Sequence, residues 1–151
     1  MKKLFRLTQE GVDELEKERT ALVDQRAEVA DRIKQARELG DLSENAEYQS
    51  AREEQDRLET RISEVEHILQ NLEIIMKPKS HSSVTLGSKV KLKAGAKTQE
   101  FHLVGTIEAD PLAGKISDES PLGKQLIGKK VGDKILVKNS PPTTYKITSI
   151  N

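Results

Sequence analysis

Two apolar ladders, each stepping by alternating threes and fours, run through the first half of this chain and share one centre. The first is Val12, Leu15, Arg19, Leu22, Arg26, Val29, Ile33 and Ala36; the second is Tyr48, Ala51, Gln55, Leu58, Ile62, Val65, Leu69 and Leu72. Such steps mark the a/d seam of a heptad repeat, the stripe that α-helices bury against one another in a left-handed supercoil. Paired antiparallel, from Val12 with Leu72 to Ala36 with Tyr48, the residue numbers of every layer add to 84, which sets the fold point at residue 42. Two unrelated helices have no cause to share a register. The spacing therefore predicts an intramolecular antiparallel coiled coil, whose arms carry the turn roughly 40–45 Å from the root at about 1.5 Å per residue.

The ends of the ladders carry stop and start signals. Thr8 before Gln9-Glu10-Gly11 reads as a helix N-cap with an acid in the first turn, and Gly40 reads as the stop. Ser43 is the expected N-cap of the second helix, with Glu44 in its first turn. Three seam positions are polar, Arg19, Arg26 and Gln55. Their long stems can lie along a two-helix seam with the heads in water, or they can set its register.

Charge divides the chain. Residues 1–76 carry 12 Lys and Arg against 19 Asp and Glu, a net of −7; residues 77–151 carry 13 against 6, a net of +7. The break falls at Lys77-Pro78-Lys79-Ser80 and places a linker over 77–82 between a hairpin domain, 1–76, and a second domain, 83–151. With 34% hydrophobic residues, 33% charged and no Trp, the chain is poor material for one large core. It lacks Cys, which fits a reducing compartment. No apolar run approaches the ~18 residues a membrane helix needs, and Met1 to Leu7 is too short in apolar residues for a signal peptide.

The second domain reads as strand-rich. Short β-like runs at 84–86, 89–93, 99–107, 133–137 and 143–150 are separated by Gly, Pro, Asp and Asn. One short helix stands among them: Ser120 caps, Pro121 fits the first turn and Gly128 closes. The expected class is α+β, a helical hairpin followed by a twisted sheet packed by one helix.

Independent catalysis finds little support. There is no thiol, no phosphate-cradling Gly loop and no nucleophile motif, and His67, His81 and His102 have no metal-ligand spacing and read as surface or linker residues. At the turn, Asp41 and Glu44 stand three apart. They can be a loop residue and a helix-dipole partner. That is the plainer reading of the spacing; the other is half of a hard-cation site, which Mg²⁺ would need further oxygen ligands to complete. Arg37 and Arg52 flank the turn; each can pair with a neighbouring carboxylate or offer its fork to a phosphate.

The run Glu38-Leu39-Gly40-Asp41-Leu42-Ser43-Glu44-Asn45-Ala46-Glu47-Tyr48, followed by Ala51-Arg52-Glu53, resembles the tip signature of bacterial Gre transcript-cleavage factors. A second stretch, Ile116-Ser117 and Ser120-Pro121-Leu122-Gly123 through Leu126 to Asp133, is similar to their C-terminal domain, which is FKBP-like. The lack of a longer basic stripe on the hairpin matches the GreA-like branch. The resemblance implies an accessory transcription elongation factor rather than an enzyme. Its coiled coil would enter the secondary channel of RNA polymerase, and its C-terminal domain would dock on the channel rim. Asp41 and Glu44 would help to hold a Mg²⁺ shared with the polymerase, with no cofactor bound stably by the chain alone, and the 3′ end of backtracked RNA would be cut.

The same resemblance assigns Arg37 and Arg52 to RNA and places Asn45, Glu47 and Tyr48 in a supporting tip motif; Tyr48 also fits as the last seam layer. It implies a bacterial cytoplasmic protein, expected to be a monomer because a self-paired hairpin has no need of a second copy. Alternatives are a Gre-like inhibitor in the same channel, a coiled-coil holdase, for which the tip offers only Leu42 as an apolar grip, and a prolyl isomerase. The last would need an aromatic-lined pocket, and residues 77–151 hold only Phe101 and Tyr145 as aromatics.

Overall fold

The computed structural model describes residues 3–41, 45–137 and 142–151. Its architecture is α+β, in two compact units, Val12–Asn71 and Lys3–Gly11 with Leu72–Asn151.

The first unit is the hairpin. Helix α1 spans Gln9–Glu38 and helix α2 spans Ala46–Gln70. The ladders supply its core: Val29, Ile33, Ala51, Leu58 and Ile62 cluster, with Leu22 and Tyr48 packed against them. Cross-helix ion pairs report the direction independently. Glu18 meets Arg61, Arg26 meets Glu59 and Arg32 meets Glu54, so partners climb along α1 as they descend along α2. Arg19 and Arg26 lie exposed on the seam. The Arg26 head turns out to Glu59 as a fork, Nε to Oε1 at 2.7 Å and Nη2 to Oε2 at 3.0 Å, as expected of a stem lying along a wet seam.

The ladder does not run its full predicted length. Helix α2 ends at Gln70, where the Asn71 N–H bonds back to the Ile68 carbonyl at 3.1 Å. Leu72–Ile75 then form strand β2, parallel to β1 at Phe5–Thr8, with Phe5 opposite Leu72 and Thr8 opposite Ile75. Leu72 is therefore a strand residue and not the last helical layer. The chain's compact units divide at Gly11/Val12 and Asn71/Leu72, and residues 72–76 fall with the C-terminal part rather than with the hairpin.

In the second unit a five-stranded sheet runs in the order β5-β4-β3-β7-β6, with β3 at Lys89–Ala94, β4 at Lys97–Val104, β5 at Lys115–Ser117, β6 at Lys134–Val137 and β7 at Thr143–Ile150. All neighbours are antiparallel except β4 and β5. Helix α3, Pro121–Leu126, adds Leu126 to a core of Val84, Val90, Leu92, Leu103, Ile116, Ile135, Ile147 and Ile150. Val84 is no strand residue, contrary to the reading of 84–86; its N–H and carbonyl instead bond to Lys129 O and Gly128 N, each at 2.8 Å. Two charged groups of this unit fasten β1: Arg6 pairs with Asp118 at 3.2 Å, and Glu108 accepts from Thr8 N at 2.8 Å and Thr8 Oγ1 at 2.6 Å. Thr8 Oγ1 in turn accepts from the Gly11 N–H at 3.1 Å, the N-cap bond that the sequence predicts.

Candidate functional site: the hairpin apex

The last turn of α1 carries Arg37 and ends at Glu38. The Leu39 N–H donates to the Ala36 carbonyl at 3.1 Å, and Gly40, at φ 131°, turns the chain where a side chain would be strained. Asp41 follows, exposed. Glu44 and Ser43 lie outside the described residues.

Helix α2 is capped by Asn45, not by Ser43. Asn45 is extended, φ −87° and ψ 98°, and its side-chain oxygen accepts from the Tyr48 N–H at 3.1 Å. Its Nδ2 donates 2.6 Å to the Ala36 carbonyl, across the turn. The acid in the first turn of α2 is Glu47 rather than Glu44, exposed where the helix dipole favours a negative charge. Tyr48 is half-buried against the hairpin core, the seam role foreseen for it. The Arg37 guanidinium carbon sits 5.8 Å from its ring centroid, within cation–π range. Arg52 is exposed one turn along α2, where its Nη1 donates to Gln55 Oε1 at 3.1 Å.

The apex thus brings together Arg37, Asn45 and Tyr48, with Asp41 and Glu47 exposed beside them along the chain and Arg52 a turn away. Sequence reasoning placed Asn45 in the motif but missed its bond to Ala36. Among the described residues no three of His, Cys, Asp and Glu converge on a metal position. Asp41 is an exposed oxygen donor, suited in kind to Mg²⁺ but short of the six oxygens that Mg²⁺ demands.

The C-terminal unit has a cleft of about 640 Å³, lined by Lys77, His81, Lys89 and His102 together with Ile74, Ile75 and Met76. His67 and His81 are exposed, as read from the sequence; His102 is half-buried in β4. Burial, and then the nearby Lys89 charge, hold its imidazole below the ordinary histidine range. Among the described residues no helix is long and apolar enough to cross a membrane.

Residues 5–74 match the family model for the N-terminal domain of transcription elongation factors, and residues 79–151 match that for the C-terminal domain of GreA/GreB elongation factors. The transcription elongation factor GreA of Acholeplasma laidlawii is 50% identical over 142 residues, which cover 92% of this chain and 90% of that protein. That of Lactococcus lactis subsp. lactis is 51% identical over 138 residues, 88% of each, and that of Thermotoga maritima is 49% identical over 141 residues, 91% and 90%. Among solved structures, the transcription factor Gfh1 matches at 27% identity over 100% of this chain and 99% of that one, with a TM-score of 0.49. Both halves of the chain, in order and nearly end to end, carry the same assignment: it belongs to the GreA/GreB family of transcription elongation factors.

Proposed function

We propose that this chain is an accessory factor of bacterial RNA polymerase that acts in the cytoplasm as a monomer. Its hairpin enters the secondary channel and stimulates cleavage of backtracked nascent RNA, while its C-terminal unit docks on the channel rim. The observation that carries the reading is the apex: an exposed carboxylate, Asp41, presented at the turn of a long two-helix arm between two exposed arginines, Arg37 and Arg52.

The chemistry follows from what these groups can and cannot do. Asp41, with Glu44 three residues on, offers oxygen donors; a hard cation held by them needs the remaining ligands from the polymerase active site. When bound there, Mg²⁺ supplies Lewis acidity toward water and the scissile phosphate. Arg37 and Arg52 contribute planar forks that fit phosphate oxygens and hold the extruded 3′ strand beside the carboxylates. Tyr48 and Asn45 hold the start of α2 to the end of α1. In this reading the cleavage activity belongs to the complex, with the chain adding its tip groups to the polymerase active site.

The test uses RNA polymerase stalled in a backtracked complex with Mg²⁺. Adding the protein is expected to release short 3′ RNA fragments and to restore elongation; Asp41→Asn with Glu44→Gln is expected to bind and not to cleave. No release by the wild type, or inhibition without cleavage, would sink the proposal in favour of an inhibitory role. Undiminished cleavage by the double variant would remove Asp41 and Glu44 from the chemistry.

A further inference from the structure

We infer that Asn45 is a positioning residue for Asp41, which it places by clasping both helix ends at once. This deepens the reading just given and rests on it. Oδ1 of Asn45 accepts from Tyr48 N at 3.1 Å, and Nδ2 donates to Ala36 O at 2.6 Å. The two partners leave one orientation for the amide, since a backbone N–H only donates and a carbonyl only accepts. Each is also a group that a helix end leaves without an intrahelical partner, one at the start of α2 and one in the last turn of α1. The Ala36 carbonyl takes a second bond from Leu39 N at 3.1 Å, so both of its lone pairs are used. The clasp ties the end of α1 to the start of α2, and Asp41 stands in the sequence between the two pinned groups. Tyr48, packed on the hairpin core and under Arg37, anchors the α2 side of the clasp.

A simple cap and a clasp make different demands on this side chain. As N-caps, Asn, Asp and Ser are nearly equivalent. Asp at position 45 keeps the bond from Tyr48 N. Against Ala36, however, it replaces a donor with an acceptor and sets a negative charge at the negative end of the α1 dipole. Capping alone makes Asn45→Asp harmless, whereas the clasp makes it more damaging than Asn45→Ser.

Wild type, Asn45→Asp and Asn45→Ser are compared as full chains in the backtracked-complex assay across a range of factor concentrations. Asn45→Asp is expected to lower the maximal cleavage rate by about tenfold, because a displacement near 1 Å of catalytic groups is costly. The half-saturating concentration should stay within about twofold, separating positioning from polymerase binding. Asn45→Ser should fall between Asn45→Asp and wild type. Maximal cleavage by Asn45→Asp equal to wild type, or a loss confined to the half-saturating concentration, would overturn the inference. Absence of cleavage by the wild type would instead refute the proposed function. NMR of the free protein then decides the clasp alone: slow hydrogen exchange of the Asn45 side-chain amide supports it, and exchange at the rate of a free amide overturns it.

Discussion

Replacing Gly123 by Ala sets two opposed effects in one position. Gly123 lies inside α3, where Ala is favoured over Gly by about 1 kcal/mol. A Cβ there, however, would lie 1.9 Å from the Ser117 carbonyl oxygen and 3.0 Å from Ser120 Oγ, against a practical minimum of 3.0 Å. Backbone must therefore move by about 1.1 Å, the difference between 3.0 and 1.9 Å. The atoms in the way are already committed. Ser117 O accepts from Ser120 Oγ at 2.6 Å and from Ser120 N at 3.1 Å, and Ser120 Oγ accepts from Gly123 N at 3.1 Å. Disrupting that cap costs about 1 kcal/mol, and forcing a methyl into packed structure costs about 1–3 kcal/mol more. Less the propensity gain, the expected loss is about 2 kcal/mol.

The assay must watch the sheet unit alone, because two units need not melt together. The chain has two Tyr and no Trp, so in a Tyr48→Phe background Tyr145, packed on the sheet core, becomes the only intrinsic fluorophore of note. A urea titration is expected to show the midpoint of Gly123→Ala lowered by about 1–2 M. An unchanged midpoint, or one raised as the propensity gain alone would raise it, would refute the close approach of α3 to Ser117.

Two pH predictions follow from the charged groups. The Arg61 fork on Glu18, at 2.6 and 2.9 Å, holds that carboxyl below its ordinary range. A lowered folded value means stability present above the unfolded pKa of about 4.3 and lost as pH falls through the folded one. With side chains 36% and 42% exposed, the pair is worth about 0.5 kcal/mol, so thermal melts should separate wild type from Glu18→Gln at pH 7 and bring them together at pH 3. His102, depressed by burial and then by Lys89, works in the same direction: its neutral form stabilises the sheet unit above about pH 6.5, and that contribution drains away as pH falls below it. His102→Gln should flatten the urea midpoint between pH 7 and pH 5; an unaltered slope would exclude His102 as its source.

The hairpin was legible because heptad spacing is a long, redundant signal. Each layer from Leu22 with Ile62 to Ala36 with Tyr48 repeats the statement of the one before, and one misread position does not alter the register. Helix α3 was legible from Ser120-Pro121, a cap followed by a residue preset for the first turn. The failures share a cause. Strand β1 is four residues long and its partner β2 begins at Leu72, far along the chain. Neither run alternates long enough to outweigh the helical pattern beside it, and the pairing exists only in three dimensions. β5, three residues paired in parallel to β4, is of the same kind. His102 looked like a surface residue because the unit that half-buries it could not be read from its neighbours in β4.

Asn45 marks the limit more sharply than any strand. Ser43 and Asn45 are both good capping residues, and local sequence cannot choose between them. The deciding interaction is the bond to Ala36, which belongs to the other helix. The choice is made by tertiary contact, and only an amide of this size can serve both ends. A serine can cap α2 but presents one small hydroxyl to two partners; an aspartate can cap it but repels the carbonyl of Ala36. The residue type that the turn requires is thus set by the antiparallel register, the same register that the ladders announce. Local rules name Asn45 a candidate cap, and the bonds of its one amide to Ala36 O and Tyr48 N make it the residue that joins the two helix ends.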